Sequence, residues 1–151
     1  MKKPLKMVTL FLLVAVMLLP AFQVEAKTKS VKVSVYKVSG NTVYYRKAQQ
    51  FYDLRNGELF NAMNDHGYGK TYKIKVTNKT KYYFLDYNNG YAKTRMNKKA
   101  FKSQVKRWKQ FGRVEYLYTQ HKVRKKIYPG YVCKMTCSGK KAKKFVEVFQ
   151  S

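Results

Sequence analysis

From Thr71 to Tyr87 the chain reads TYKIKVTNKTKYYFLDY, and Tyr72, Ile74 and Val76 alternate with Lys73 and Lys75. That period of two marks a strand with one buried face. Thr77 to Thr80 offers turn chemistry, and Lys81 to Asp86 resumes an aromatic, β-favouring run, so the stretch predicts two central strands of an antiparallel domain. Upstream, Val31, Val33 and Val35 alternate with Lys32 and Ser34 before Tyr36 and Val38 shift the parity, which predicts a bulge. Ser39-Gly40-Asn41 is a turn signal, and residues 31–47 read as a hairpin. Residues 48–69 lose the alternation. Leu59, Phe60 and Met63 there fit one face of a short helix between Gly57 and Asn64, followed by a loop through His66 to Gly69. Such a departure from a compact β pattern is expected at a barrel mouth, as the most mobile or most functional part of the domain.

After a hairpin-type turn at Asn88-Asn89-Gly90 the period changes. Phe101, Val105 and Trp108 fall at i, i+4 and i+7 between Lys98, Lys99, Lys102, Lys106 and Arg107. With Asn97 as cap and Gly112 as stop, this predicts an amphipathic helix over about 97–109, its three large residues turned to the core. Strands return at 114–118 and 123–128, and Pro129-Gly130 turns the chain into a final hairpin across the Lys-rich SGKKAKK stretch.

The N-terminus changes the picture. Lys2, Lys3 and Lys6 precede an apolar run from Met7 to Leu19, then Pro20 and the small-residue site Val24-Glu25-Ala26. This is the pattern of a secretory signal peptide over 1–26, with an apolar run shorter than the ~20 residues a spanning helix needs. A single domain over 27–151 is expected to follow, exported and cell-wall associated. Removing Lys2, Lys3, Lys6 and Glu25 leaves 30 of the 33 basic and 6 of the 7 acidic residues, a formal charge of +24. At 45% hydrophobic the chain can still bury a core, so this charge points to anionic partners rather than to disorder.

The runs Val33 to Val38, Gly40-Asn41-Thr42-Val43 and Tyr72 to Thr80, the helical FKSQV segment, and Gly112-Arg113-Val114-Glu115-Tyr116 resemble small OB-like β-barrel domains of bacterial exported proteins over about 31–128. The resemblance implies a non-catalytic module. The 48–69 insertion and the 129–149 hairpin depart from that pattern. The fold class expected is therefore mainly β: a small antiparallel OB-like barrel with one amphipathic helix, an inserted loop with a short helix, and a C-terminal hairpin.

Catalytic parts are scarce. His66 and His121 have no zinc-type spacing, no nucleophile elbow frames Ser103 or Ser138, and Asp53, Glu58, Asp65, Asp86, Glu115 and Glu147 are scattered among lysines. Neither an enzyme nor a cofactor or metal is expected. What remains is basic and aromatic interleaving, which on an OB-like barrel suits a cationic groove with stacking rings. The polyanion-binding candidates are Arg46, Lys47, Lys106, Arg107, Arg124, Lys125 and Lys126, with Tyr44, Tyr82 and Tyr83 as stacking candidates. The expected partner is an anionic polymer, either a cell-wall polymer or nucleic acid. Two alternatives stand beside it: a membrane-active or immunity-type protein acting on an anionic membrane surface, and an exported nuclease. Cys133 and Cys137 lie in a run whose alternation favours a strand, and four extended residues span about 13 Å. A disulfide needs Cα atoms within roughly 7 Å, so both thiols are expected free on the inner face.

Overall fold

A computed structural model describes residues 27–150; the predicted signal peptide, 1–26, lies outside them. The described residues form β1 (Thr28–Ser39), β2 (Thr42–Arg55), β3 (Glu58–Lys75), β4 (Lys81–Asp86), β5 (Ala92–Met96), α1 (Lys98–Phe111), β6 (Glu115–Tyr118), β7 (Arg124–Tyr128), β8 (Tyr131–Ser138) and β9 (Lys141–Glu147). The fold is mainly β, with one α-helix and a nine-stranded sheet among the described residues.

β1 and β2 form the predicted hairpin, turning at Gly40 with φ 56°. Their register slips between Val35 and Lys37, where the parity change at Tyr36 predicts a bulge. The first half of β1 pairs with β8 (Thr28↔Ser138 to Val35↔Tyr131) and its second half with β2, so β1 joins two parts of the sheet.

Residues 48–69 correct the sequence reading. They are neither a loop nor a short helix but the outer arms of the long β2–β3 hairpin, closed by Asn56 and Gly57 at φ 51° and 76°. Both turn residues occupy the left-handed region, as a two-residue hairpin turn requires. The alternation is lost to inspection because the β2–β3 register slips three times, after Tyr45, Gln50 and Tyr52. The second and third slips, of one residue each, exchange inward and outward positions of one strand relative to the other. Leu59, Phe60 and Met63 match a helical spacing only because of that irregularity.

The central stretch also folds differently from a hairpin. β3 and β4 do not pair with each other; both run parallel to β9, at Lys75↔Lys141 and then from Lys81↔Lys144 to Tyr83↔Val146. β8 occupies the other edge of β9, so β3 and β4 follow one another along the same edge. Thr80 fixes the excursion between them. Its buried hydroxyl donates to Ala142 O at 2.7 Å and accepts from the Thr77 N–H at 3.0 Å. A turn motif that reads as a hairpin is instead an outward step along one edge.

α1 is capped as predicted. Asn97 Oδ1 accepts the Ala100 N–H at 2.8 Å, and the Gly112 N–H returns to Trp108 O. Phe101 enters the main core, its ring 4.7 Å from Tyr82, 5.0 Å from Phe145 and 5.9 Å from Tyr131 by centroids. Trp108 does not follow it inward. It lies further along the helix, 36% exposed and stacked on Tyr131. A second, smaller core of Phe51, Leu117 and Ile127, joined by Met63 and Tyr68, fills the space between the outer β2–β3 arms and the β6–β7 hairpin.

The two cores meet at Ser34, which is buried on β1. A Cβ at Gly67 would stand 2.7 Å from Ser34 Cβ, and a Cβ at Gly130 would collide with Ser34 Oγ and lie 2.9 Å from Val35 O. Backbone cannot yield there as a side chain can. Gly130→Ala is expected to cost about 1–3 kcal/mol through overpacking, read as a lower urea midpoint with an unchanged slope; an unchanged midpoint would contradict the packing described.

Cys133 and Cys137 are both free, Cys133 fully buried and Cys137 half-buried. Burial, with the Glu147 charge adding to it, pushes the Cys133 thiol well above its ordinary range. Alkylation of the native protein at mildly alkaline pH is therefore expected to modify Cys137 alone, with Cys133 reacting only after denaturation. Peptide mass spectrometry decides it, and an intact mass lower by two hydrogens would reveal a bridge instead.

Candidate polyanion-binding face

The β6–β7 hairpin lays its apolar side, Leu117 and Ile127, on the second core, which turns the alternate residues outward. The outward set on β7 is Arg124, Lys126 and Tyr128, opposite Tyr118 and Tyr116 of β6. The Arg124 guanidinium sits 4.2 Å from the Tyr116 ring centroid, and Lys126 Nζ lies 5.6 Å from that of Tyr128. Arg46 reaches the same Tyr128 ring from β2 at 3.6 Å and lies 5.6 Å from Tyr36 on β1. Tyr36 in turn meets Tyr44 at 6.4 Å, with Lys37 Nζ 5.3 Å above the Tyr44 ring.

Cations and rings thus follow one another from β7 through β2 toward the β1–β2 turn, alternating except at the ring pair Tyr36–Tyr44. Arg46 is the link. It crosses to Tyr128 at Gly67, which pairs with Tyr128 and has no side chain to obstruct the Arg46 Cβ, 3.4 Å from where its own Cβ would be. Its guanidinium also donates to Gly69 O. A guanidinium fixed by a carbonyl and two rings keeps its charge and loses little further freedom when an anion arrives.

Of the sequence candidates, Arg46, Arg124, Lys126 and Tyr44 come together on this track. Lys125 is exposed on the same strand but, opposite Leu117, belongs to the other face of the hairpin. Lys47 follows Arg46 on β2 and by alternation projects from the opposite face, while Lys106 and Arg107 are exposed on α1. Tyr82 is 3% exposed, stacked on Phe145 in the main core, and offers no ring face to a ligand. Tyr83 is half-buried beneath Arg95 at 5.6 Å. Sequence reasoning missed Tyr36, Lys37, Tyr116 and Tyr128. The signal was present in the i, i+2 spacing of Arg124, Lys126 and Tyr128, but the partners on other strands leave no local trace.

Asp65 and Ser103, weighed as catalytic candidates, are each held by another partner. Lys32 holds Asp65 Oδ2 at 2.9 Å, and Ser103 Oγ bonds Lys99 O on its own helix. His66 is half-buried, and that burial lowers its pKa against the opposing charges of Glu115 and Asp65. Among the described residues no three His, Cys, Asp or Glu side chains gather where a metal ion could sit, so the nuclease alternative finds no ligand set there.

A double-mutant cycle on Arg46→Met and Tyr128→Leu is expected to return a stability coupling of about 0.5–1 kcal/mol, the size of an exposed cation–π contact. Zero coupling in denaturant titrations would remove Arg46 as the link. In comparisons with known proteins, neither a family model nor a curated protein nor a solved structure matches this chain.

Proposed function

We propose that this chain is an exported, non-catalytic module that binds anionic polymers, built on an OB-like barrel. The barrel reading is supported by a circuit of strand pairings, β1–β2–β3–β9–β8 and back to β1, with α1 lying between β3 and β8 in the chain. Its seam is narrow, one parallel pair at Lys75↔Lys141 with the Lys75 N–H donating to Lys140 O at 3.2 Å. The export reading rests on the 1–26 pattern, and through it the polymer is a wall polyanion in preference to nucleic acid.

The observation that carries the binding reading is the continuous track of four cations and four rings, Arg124, Tyr116, Lys126, Tyr128, Arg46, Tyr36, Tyr44 and Lys37. Cations spaced along a track neutralise successive phosphates, and the entropy of the released counterions drives association. Rings between them add apolar surface on which sugars or bases can lie. A second reading, contact with an anionic membrane, is favoured by the exposed Phe60, Tyr116 and Val123 set among Arg55 and Arg124 on the same lobe.

The test is a salt titration of binding to teichoic acid, single-stranded DNA, duplex DNA and anionic vesicles. Affinity for the soluble polymers is expected to fall steeply with salt. Replacing Arg124, Lys125 and Lys126 together by Ala should flatten the log–log slope on duplex DNA by roughly 0.9 for each phosphate no longer neutralised. Preference for single strands would add about 1–3 kcal/mol per stacked base, whereas a wall polymer shows the salt dependence alone. Binding to vesicles without binding to any soluble polymer would transfer the function to the membrane. No binding to any of the four at low salt would leave the charge as a solubility device.

A further inference from the structure

The opposite character appears at the end of α1. A cavity of about 140 Å³ opens between the α1 C-terminus, the middle of β3 and the start of β8, and a wider one of about 620 Å³ continues it toward the β4–β5 turn. They share Trp108, Phe111, Glu147 and Gln150, so they form one cleft with a narrow inner end and an open outer end. In a chain with six acidic residues beyond position 26, three line this cleft: Asp65, Asp86 and Glu147.

Its floor holds polar atoms with nothing to bond. The Tyr131 hydroxyl is on a side chain only 2% exposed and faces the Glu147 carboxylate, which takes it out of the unmatched set. Asp65 Oδ1 is unpartnered on a carboxylate whose other oxygen is held by Lys32, the side chain being 10% exposed. Gln150 accepts the Asp65 N–H through Oε1 at 3.1 Å, which leaves its buried Nε2 without an acceptor. Glu147, 8% exposed, is fixed by the Leu85 N–H at 2.8 Å and the Tyr87 hydroxyl at 3.4 Å. Buried polar groups left unmatched are costly and mark a place where a partner is missing.

The unmatched set decides the ligand's chemistry. It contains an acceptor in Asp65 Oδ1 and a donor in Gln150 Nε2. A cationic ligand would satisfy acceptors only, and an anion would meet two carboxylates. A polyhydroxylated ring supplies donors and acceptors around its rim and C–H surface on its faces. The flat apolar surface it needs is present: Trp108 is stacked on Tyr131 by one face and 36% exposed, and Phe111 is 78% exposed. We propose that this cleft binds a neutral pyranose residue of a glycan, its ring against Trp108 and Phe111 and its hydroxyls on Asp65 and Gln150. The site is separate from the cationic track and does not depend on it.

Trp108 is the single tryptophan, so intrinsic fluorescence reports on the cleft alone. The full mature chain is titrated with four uncharged probes, the tetrasaccharides of N-acetylglucosamine, glucose in α- and β-linkage, and mannose. At least one is expected to shift Trp108 emission saturably, with a Kd on the order of 1 mM or tighter, and equally at low and high salt. Gln150→Ala and Phe111→Ala should each weaken that response about tenfold or more, while salt-dependent polymer binding is retained. Both changes lie on the surface side of the fold, and circular dichroism verifies that they leave it intact. A response to choline but to no sugar would overturn the proposal in favour of a cation site. No response to any of the four sugars at millimolar concentration would overturn it outright, as would a response untouched by both substitutions.

Discussion

Three backbones come close at Ser34, and the rest of the molecule is arranged around that contact. β1 carries Ser34 between Gly67 of β3 and Gly130 at the entry to β8, at separations a single methyl group would fill. The main core of Val33, Val35, Phe101, Met135 and Phe145 lies on one side, and the smaller core of Phe51, Leu117 and Ile127 on the other. Two small cores of this kind each bury too little apolar surface to be secure alone. Pressed together at a waist of small residues, they share strands β2 and β3 and so share their stability. The same contact orders the surface, because Arg46 pairs with Ser34 across β1–β2 and crosses at Gly67 to its ring on β7.

Charge is sorted by position as well as by number. The lysines and arginines stand at outward strand positions, where their long stems cover apolar surface and their heads remain in water. Three carboxylates are gathered into the cleft at the end of α1. The field is therefore less positive at the cleft than over the lobe of β6 and β7, even with Arg107 on the cleft's outer wall and Lys32 paired to Asp65.

Local pattern carried much of the fold. Gly40, the parity shift at Tyr36, the Asn97 cap and the Phe101–Val105 stripe are each written within a few residues, and each has its counterpart in the structure. The outer β2–β3 arms were hidden because register slips at Tyr45, Gln50 and Tyr52 destroy the alternation a strand is recognised by. The step at Thr77–Thr80 reads as a hairpin because its direction depends on a bond to Ala142, sixty-two positions away. The site was legible only in part for the same reason. Arg124, Lys126 and Arg46 stand out as charges, but the rings that fix them come from other strands. Tyr82 shows the reverse error: its neighbours Lys81 and Tyr83 made it a surface residue by composition, whereas β4 turns it inward against Phe145.

β5, the last strand of the sheet, is five residues long and exposes Lys93 and Arg95. An open edge of this kind invites another chain to add to it, and a short strand bearing cations discourages a second copy by placing like charges side by side. The net positive charge of the chain thus works against edge-to-edge pairing of two copies, and any counter-charge that screens it weakens that guard.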